Sequence, residues 1–598
     1  MSRAKASENL NLIGRFRGWY AGLDPLGRQR FGVAVGLGIA LVGLLVFLTT
    51  ADAPWEGEAP KLLERSLREP GTKGYLKNLP TEYWSQVHLW QAAAINICLI
   101  ALLLSTSYWW VRWAFAPKAE ALPRIGRPIS KLSIVFLLGA LILGGCLRLP
   151  LMNRQIQHDE QDNLRRSIHG YTDVHEDGTE EWRPAGWNHA FHENRLANNP
   201  ILLSITAKAS LEIWRKFTGL PEDHFQLVPI RLPSLLAGLA SIVLIWRILH
   251  WFGYRCAALF AAFFLAVHPT AIDFHVQARG YSLSMLFELI AIASIYLALR
   301  TLKWRYWILY GASIFLCLYS YLGAVYFAIG INLFLAIYLG RRIWRAKTRA
   351  AAWPQLVRCG IVNLIAALAF IQAAKPALAQ ADSYLHDKFA KSELHGEWVF
   401  CAWDHIVAGV ILPTSTEWWD ALPEEDRHIT EYLIEHYIPE EPVLAVLTLV
   451  VSPLLLIFGT VRLIRGNRFA TPLALGGLAA PVLAYLHSRL VTHLWLHTWY
   501  IIYALPVFIV LFAIGITSLS DFFKNKPLRP FFTLAIGTAY LILFSIITGS
   551  DAGKGSISRT IGKIEYVEFQ RGKSRWRVFE DGKMTRELGK NIDSAAHP

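Results

Sequence analysis

The sequence predicts an all-α polytopic membrane protein with about thirteen transmembrane helices. Three observations lead there. Over its 598 residues the chain is 54% hydrophobic and only 17% charged, with a mean hydropathy of +0.33, whereas a soluble chain carries about a quarter charged residues. Apolar runs of roughly 20 residues, the length a hydrocarbon core demands, recur from near residue 32 to near residue 548. The connections between them are alternately basic and acidic, as expected of loops sorted to two faces of a bilayer.

In chain order, about 30 polar and basic residues come first and do not read as a cleavable signal. Spans are expected near 32–50, 90–112, 132–151, 229–250, 256–273, 280–299, 306–321, 323–340, 356–374, 442–461, 470–487, 496–518 and 530–548. Basic residues gather at the N-terminus (Arg15, Arg17, Arg28, Arg30) and in every second linker, for example Arg300, Lys303 and Arg305, or Arg462, Arg465 and Arg468. This alternation predicts a cytoplasmic N-terminus and an external C-terminus. The net charge of +14 is spread over these short loops and implies topology, not nucleic acid. The six cysteines form no metal spacing and no disulfide framework.

The two large loops are acidic. Residues 152–200 hold nine Asp/Glu against five Lys/Arg, and residues 375–441 hold fourteen against four, so both are placed outside the cytoplasm. Residues 200–217 read as a helix with Lys208, Glu212, Arg215 and Lys216, lying along the outer surface rather than crossing; residues 396–412 read the same way. The expected organisation is a segment 1–130 with two additional helices, a transmembrane core 131–548 with external loops 152–228 and 375–441, and an external tail 549–598. In that tail "KIEYVEF" and "SRWRVFEDGKMTREL" read as strands with a hairpin turn at "EDGK".

The residues able to carry chemistry cluster at the outer ends of spans. "QHDEQDN" (157–163) follows a span directly, which holds Asp159 and Glu160 at a fixed depth beside the bilayer. A carboxylate there can act as general base on an acceptor hydroxyl or amine, or bind a divalent cation with neighbouring oxygens; the bland alternative is a solvated acidic loop. Asp162 is the weaker candidate. The loop is rich in histidine (His158, His169, His175, His189, His192), and "WNHAFHENRLANNP" (187–200) offers His189, His192, Glu193 and Asn199 to an acceptor or sugar.

Arg279 stands where an apolar span re-enters the membrane. A guanidinium at that depth needs a partner, and a phosphate at headgroup level suits it as well as simple snorkelling does. Tyr281 could serve the same anion or an aromatic belt, Asp273 and His275 are ambiguous, and Glu288 reads as structural. Arg489 and His497, at the outer end of a late span, could form a second wall of a phosphate site.

Taken together these segments resemble the GT-C superfamily of integral-membrane glycosyltransferases, and within it the protein O-mannosyltransferase-like and aminoarabinose-transferase-like branch, glycosyltransferase family 39 and its relatives. The resemblance runs over roughly 131–520. It rests on the Asp159–Glu160 pair after the first core span, "NNP" (198–200) before a surface helix, the "RLPS…G" and "ARGY" landmarks within 219–287, and "WYIIYALPVFIVLFAIGI" (499–516). Where relatives have Arg before the Tyr of that last span, this chain has Trp499; where they have "HPP", it keeps only Pro200.

The resemblance implies a GT-C fold and transfer of a sugar from a polyprenyl-phosphate donor to a glycan, lipid or protein acceptor on the non-cytoplasmic face, with inversion. It implies Asp159 as base, Glu160 as its helper, and Arg279 and Tyr281 as binders of the lipid phosphate. A bacterial inner membrane fits the compact external loops. The rivals are a transporter or lipid flippase, which would invest in intramembrane charges and inverted repeats, and a scaffold that binds cell-wall polymer. No internal repeat is visible and the polar investment lies in the loops.

Overall fold

The computed structural model describes residues 11–68, 79–115, 128–154, 156, 158–175, 177–196, 199–388, 397–407, 409, 439, 442–493, 496–519, 529–549, 566–571, 574–579 and 584–588. They are overwhelmingly helical. Each of the thirteen expected spans contains helix. Ten helices among the described residues are long and apolar enough to cross a membrane, or eleven if the bent pair Arg255–Val267 and Pro269–His275 counts as one span. The bend of 60° falls at His268, just before Pro269, because the ring of Pro269 has no N–H for the preceding turn and starts a new helix instead. Of the other expected spans, 306–321 is the 17-residue helix Trp304–Ser320, and 530–548 falls on Arg529–Gly549, of which only Thr533–Ile542 counts as a short apolar helix. The chain is therefore an integral, multi-pass membrane protein.

The chain divides into two compact units: 1–121 with 337–376, and 122–336 with 377–598. In the first, Pro25–Thr50 starts on Asp24, whose carboxylate caps the Gly27 N–H at 2.7 Å, and it buries none of its residues, as a lipid-facing helix of uniform apolarity should. Thr81–Ser105 carries a polar residue into its buried face: Asn96 donates to the Leu368 carbonyl at 3.0 Å and to Gln372 Oε1 at 3.1 Å. Arg358 donates to the Ala114 carbonyl at 2.7 Å. Such satisfied polar contacts hold helices together where lipid removes the hydrophobic driving force.

In the second unit the most enclosed spans are Tyr281–Thr301 and Thr498–Leu519, with 83% and 89% of their apolar windows buried. Lys131–Arg148 begins on Ser130, whose hydroxyl accepts from the Ser133 N–H, and runs through Leu149–Asn153 into the acidic cluster, where residues 158–163 form a short helix and Leu164–Ile168 a wider helical turn. The loop then forms strands β1 (Gly170–Val174) and β2 (Glu180–Pro184), a hairpin whose turn is closed by Asp177 accepting from the Thr179 N–H and hydroxyl at 2.9 and 2.6 Å.

The tail strands β3 (Tyr566–Arg571), β4 (Ser574–Phe579) and β5 (Met584–Leu588) do not form a separate sheet. Antiparallel to one another, they extend the loop hairpin through a parallel β1–β5 pairing that sets Thr172, Asp173 and Val174 opposite Thr585, Arg586 and Glu587. The order is β2-β1-β5-β4-β3; "EDGK" (580–583) lies outside the described residues.

The helix Ile201–Thr218 is not among the candidate spans. It buries Leu203, Ala207 and Leu211 in one apolar cluster with Ile156, Leu164 and Ile168 of the acidic loop, Leu227 and Ile230 of the following span, and Ala278 of the turn before Tyr281–Thr301. Its charges serve the loop: Lys208 donates to the carbonyls of Ile168 and Ala185, and Arg215 donates to His169 Nδ1 at 2.7 Å and the His224 carbonyl at 2.9 Å. Loop and spans thus share a core, which sets the site's position.

Candidate functional site

Three buried arginines tie these segments together, and one of them, Arg231, holds the acidic cluster itself. Arg148, with no exposed surface, donates to the carbonyls of Gly144, Ala266 and Leu265 at 2.7–3.0 Å and to His275 Nδ1 at 3.1 Å. Arg154 pairs with the Asp273 carboxylate and donates to the Asp273 carbonyl at 3.0 Å. Arg231, the arginine of "RLPS", faces Glu160: Nε donates to Oε1 at 3.1 Å and Nη2 to Oε2 at 2.7 Å, and both side chains are completely buried. Arg231 also donates to the carbonyls of Met152 and Arg154. A bidentate pair with its remaining donors satisfied is the form in which a buried ion pair is tolerable.

Glu160 has a second duty. The Ala278 N–H donates to its Oε1. Since Ala278 opens "ARGY", this one bond joins the acidic cluster to the segment that carries Arg279. Asp159 lies beside Glu160 on the same short helix; its side chain, like that of His158, lies outside the described residues.

Arg279 is 9% exposed. It donates to the Tyr281 hydroxyl at 2.8 Å and stands 4.7 Å from that ring's centroid. Tyr281 packs edge-on against Phe274 and Tyr321, with centroids 4.6 and 4.9 Å apart. Tyr321 then donates to the Tyr500 carbonyl at 2.9 Å, and Tyr500 meets His497, which stacks on Trp499 at 4.2 Å. Arg279, Tyr281 and His497 therefore lie along one aromatic chain. Arg489 is elsewhere: it is exposed and donates to the Tyr485 hydroxyl at 2.7 Å. Trp499, standing where relatives carry arginine, stacks on histidine.

The glycines of the two landmarks are close-approach positions. A Cβ on Gly280 would lie 1.9 Å from the Ser320 carbonyl oxygen and 2.7 Å from Pro200 Cβ, and one on Gly238 would lie 2.3 Å from His275 Nδ1. Gly280 is thus where "ARGY", the proline of "NNP" and the end of the Trp304–Ser320 helix meet.

The loop histidines have separate partners. His169 is buried between Trp182 and Phe225, and burial beside Arg215 and Lys208 holds it well below its ordinary range. Burial alone lowers His192 to about 4. His189 and His192 do share a helix, Trp187–His192. Among the described residues, no group of three or more His, Cys, Asp or Glu is placed to hold a metal ion.

Asn199 works within the turn: its amide donates to the Glu193 carbonyl, its Oδ1 accepts from Ser204, and its N–H donates to Asn194 Oδ1 at 2.9 Å. Glu193, 3% exposed, faces Arg195 and Arg166. In the spans, Glu288 accepts from the Ser284 hydroxyl at 3.0 Å.

Arg231, Arg154 and Tyr321 are site residues that sequence reasoning missed. The signal for Arg231 was legible: a buried arginine on an apolar helix needs a carboxylate, and Glu160 follows the preceding span. Tyr321 carried no signal, because it lies in an aromatic-rich stretch where one tyrosine looks like another.

The chain matches the family model for dolichyl-phosphate-mannose-protein mannosyltransferase over residues 215–370. No curated protein matches it. Among solved structures, the oligosaccharyltransferase of Archaeoglobus fulgidus tethered to an acceptor peptide with the NVT sequon is similar at 13% identity and a TM-score of 0.41, over 71% of this chain and 55% of that one. The same enzyme with zinc and sulfate gives 14% and 0.40, over 71% and 53%. With an inhibitory peptide and a dolichol-phosphate it gives 13% and 0.35, over 71% and 56%. The chain thus spans little more than half the length of that protein. The matched segment 215–370 contains Arg231, Ala278, Arg279 and Tyr281, and it is through this segment that the chain is similar to the GT-C membrane glycosyltransferases.

Proposed function

We propose that this chain is a membrane glycosyltransferase that takes a sugar from a polyprenyl-phosphate-linked donor and passes it to a glycan, lipid or protein acceptor on the non-cytoplasmic face of a bacterial inner membrane. The observation that carries the reading is the Glu160 junction. Glu160 is bound to the Ala278 N–H; Asp159 precedes the one residue and Arg279 follows the other. A base and a cation therefore flank one hydrogen bond at the outer ends of the spans.

In this reading the acceptor hydroxyl attacks the anomeric carbon from the face opposite the phosphate. Asp159 takes the hydroxyl proton, the bond from the anomeric carbon to the phosphate oxygen breaks, and the configuration inverts. The negative charge left on the polyprenyl phosphate is met by Arg279 and Tyr281, with His497 further along the aromatic chain; such pre-placed donors give the largest electrostatic gain. Glu160, engaged by Arg231, positions this loop.

The β1–β5 pairing supports the topology. Strands cannot pair across a bilayer, so residues 174 and 584 share a face and an even number of crossings separates them. The reading has ten, with the bent pair counted as one. A transporter is disfavoured because Arg148, the arginine buried within the spans, is engaged locally by three carbonyls and His275.

The test is complementation of a deletion strain, with mass spectrometry of its envelope glycans and donor binding measured on purified variants. Asp159→Asn is expected to keep donor binding and lose roughly a hundredfold or more of turnover, the usual scale of general-base catalysis. Arg279→Ala is expected to lose donor binding and turnover together. Full turnover in Asp159→Asn would remove the assigned base.

A further inference from the structure

We propose that a second site, in the loop just after Asp159, binds an oxyanion group (phosphate or carboxylate) carried by the acceptor. Only the word acceptor rests on the glycosyltransferase reading. The anion site follows from a cavity of about 380 Å³ walled by Arg165, Arg166, Arg183 and Arg195, with His189 and Glu193. That volume falls in the range of about 300–1,000 Å³ usual for small-ligand pockets.

Four guanidiniums but only one carboxylate, Glu193, line this cavity; Asp162, Asp173 and Glu181, which balance the charge, stand outside its lining. Arg165 is paired with Asp162. Arg183 is paired with Asp173 at 2.7 Å and with Glu181 at 2.9 Å. Arg166 and Arg195 share a single carboxylate, Glu193, at 3.8 and 3.4 Å. Arg166 Nε is buried without a hydrogen-bond partner among the described residues, and Arg195 Nε, 3.4 Å from Glu193, pairs with it by charge without a hydrogen bond. Two guanidiniums sharing one carboxylate at long range keep N–H donors to spare on the cavity side. A guanidinium fork is shaped to hold phosphate or carboxylate oxygens.

Three elements build the wall of the cavity. Arg165 and Arg166 sit on the turn Leu164–Ile168 that continues the helix of Asp159, Arg183 on β2, and His189 on the helix Trp187–His192. Lys208 and Asn199 tie this frame down by donating to the Ala185 and Glu193 carbonyls. An anion seated between Arg166 and Arg195 would hold its parent molecule a short chain distance from Asp159. The site therefore selects an acidic acceptor over a neutral one.

The experiment is titration calorimetry on the full-length protein in nanodiscs with inorganic phosphate, glucuronate and, as the neutral control, glucose. Wild type is expected to bind phosphate or glucuronate saturably and glucose not at all; whichever anion binds tighter identifies the group. Arg166→Gln with Arg195→Gln is expected to weaken that binding roughly tenfold or more, the scale of losing charge-assisted hydrogen bonds. Arg166→Lys with Arg195→Lys, which keeps the charge but loses the fork, is expected to weaken binding less than the glutamine pair does, and Arg305→Gln, which removes a distant charge, is expected to stay within a few-fold.

Thermal unfolding of each variant excludes loss of fold. No saturable anion binding, or binding abolished by Arg279→Gln but untouched by the double glutamine variant, overturns the proposal. The two readings fail separately: Asp159→Asn is expected to bind the anion as wild type does, so active Asp159→Asn with intact anion binding would sink the base and leave this site standing.

Discussion

At the residue scale, the most informative group is Glu160, an acid whose neighbour attracts the chemical interest. Its two oxygens engage Arg231, and one also takes the Ala278 N–H. Removing one partner of a buried pair strands the other charge, so Glu160→Ala is expected to cost roughly 3–5 kcal/mol, read as a fall in melting temperature. Glu160→Leu with Arg231→Met should recover most of that loss, since apolar replacement of both partners is often close to neutral. A double variant no more stable than the single would show that the pair is not the anchor.

His192 offers a second residue-scale prediction. Burial lowers its folded value to about 4, below the ordinary 6.5, so its neutral form is the one the fold accepts. Its contribution is full above about pH 6.5 and is lost as pH falls toward 4. Wild type should therefore lose thermal stability over that window more steeply than His192→Gln, and parallel curves would count against it.

At the element scale, the site depends on close backbone approaches. Gly280 touches both Pro200 and the Ser320 carbonyl, with no room for a methyl. Gly280→Ala should force Tyr281–Thr301 away from Trp304–Ser320 and displace Arg279; a 1 Å misplacement at a reacting centre can cost on the order of a hundredfold. Gly145→Ala is the control, because nothing lies within 4 Å of its Cβ position, and it is expected to be neutral or slightly stabilising, by up to about 1 kcal/mol. Retained turnover in Gly280→Ala would mean the helices can part without moving the arginine.

The helix Ile201–Thr218 makes the same point about elements. Its composition announced a helix that does not cross. Its lysine and arginine, read alone, suggested contact with headgroups; in the fold they cap carbonyls and His169 instead. Side chains long enough to reach water are also long enough to reach a neighbouring loop.

At the scale of the whole molecule, one sheet joins residues 170–184 to residues 566–588. With the native cysteines replaced, Asp177→Cys and Ser574→Cys should react with a membrane-impermeant maleimide from the same side, and Arg305→Cys from the other. Labelling of the first two from opposite sides would break both the sheet and the counting of spans.

The class of the protein, the approximate positions of its spans, the acidic character of its large loops and the "ARGY" landmark could all be read from the residues alone. These properties are local: hydrophobic length, charge sorting and a short motif need no knowledge of what lies opposite. It took the folded chain to show that Arg231 answers Glu160, 71 residues earlier, that exposed Arg489 donates to Tyr485, and that the tail completes the loop's sheet. Those are pairings between distant segments, and many registers of the same helices would satisfy the same hydrophobic pattern. What selects one is the cost of leaving a buried guanidinium or a strand edge without its partner.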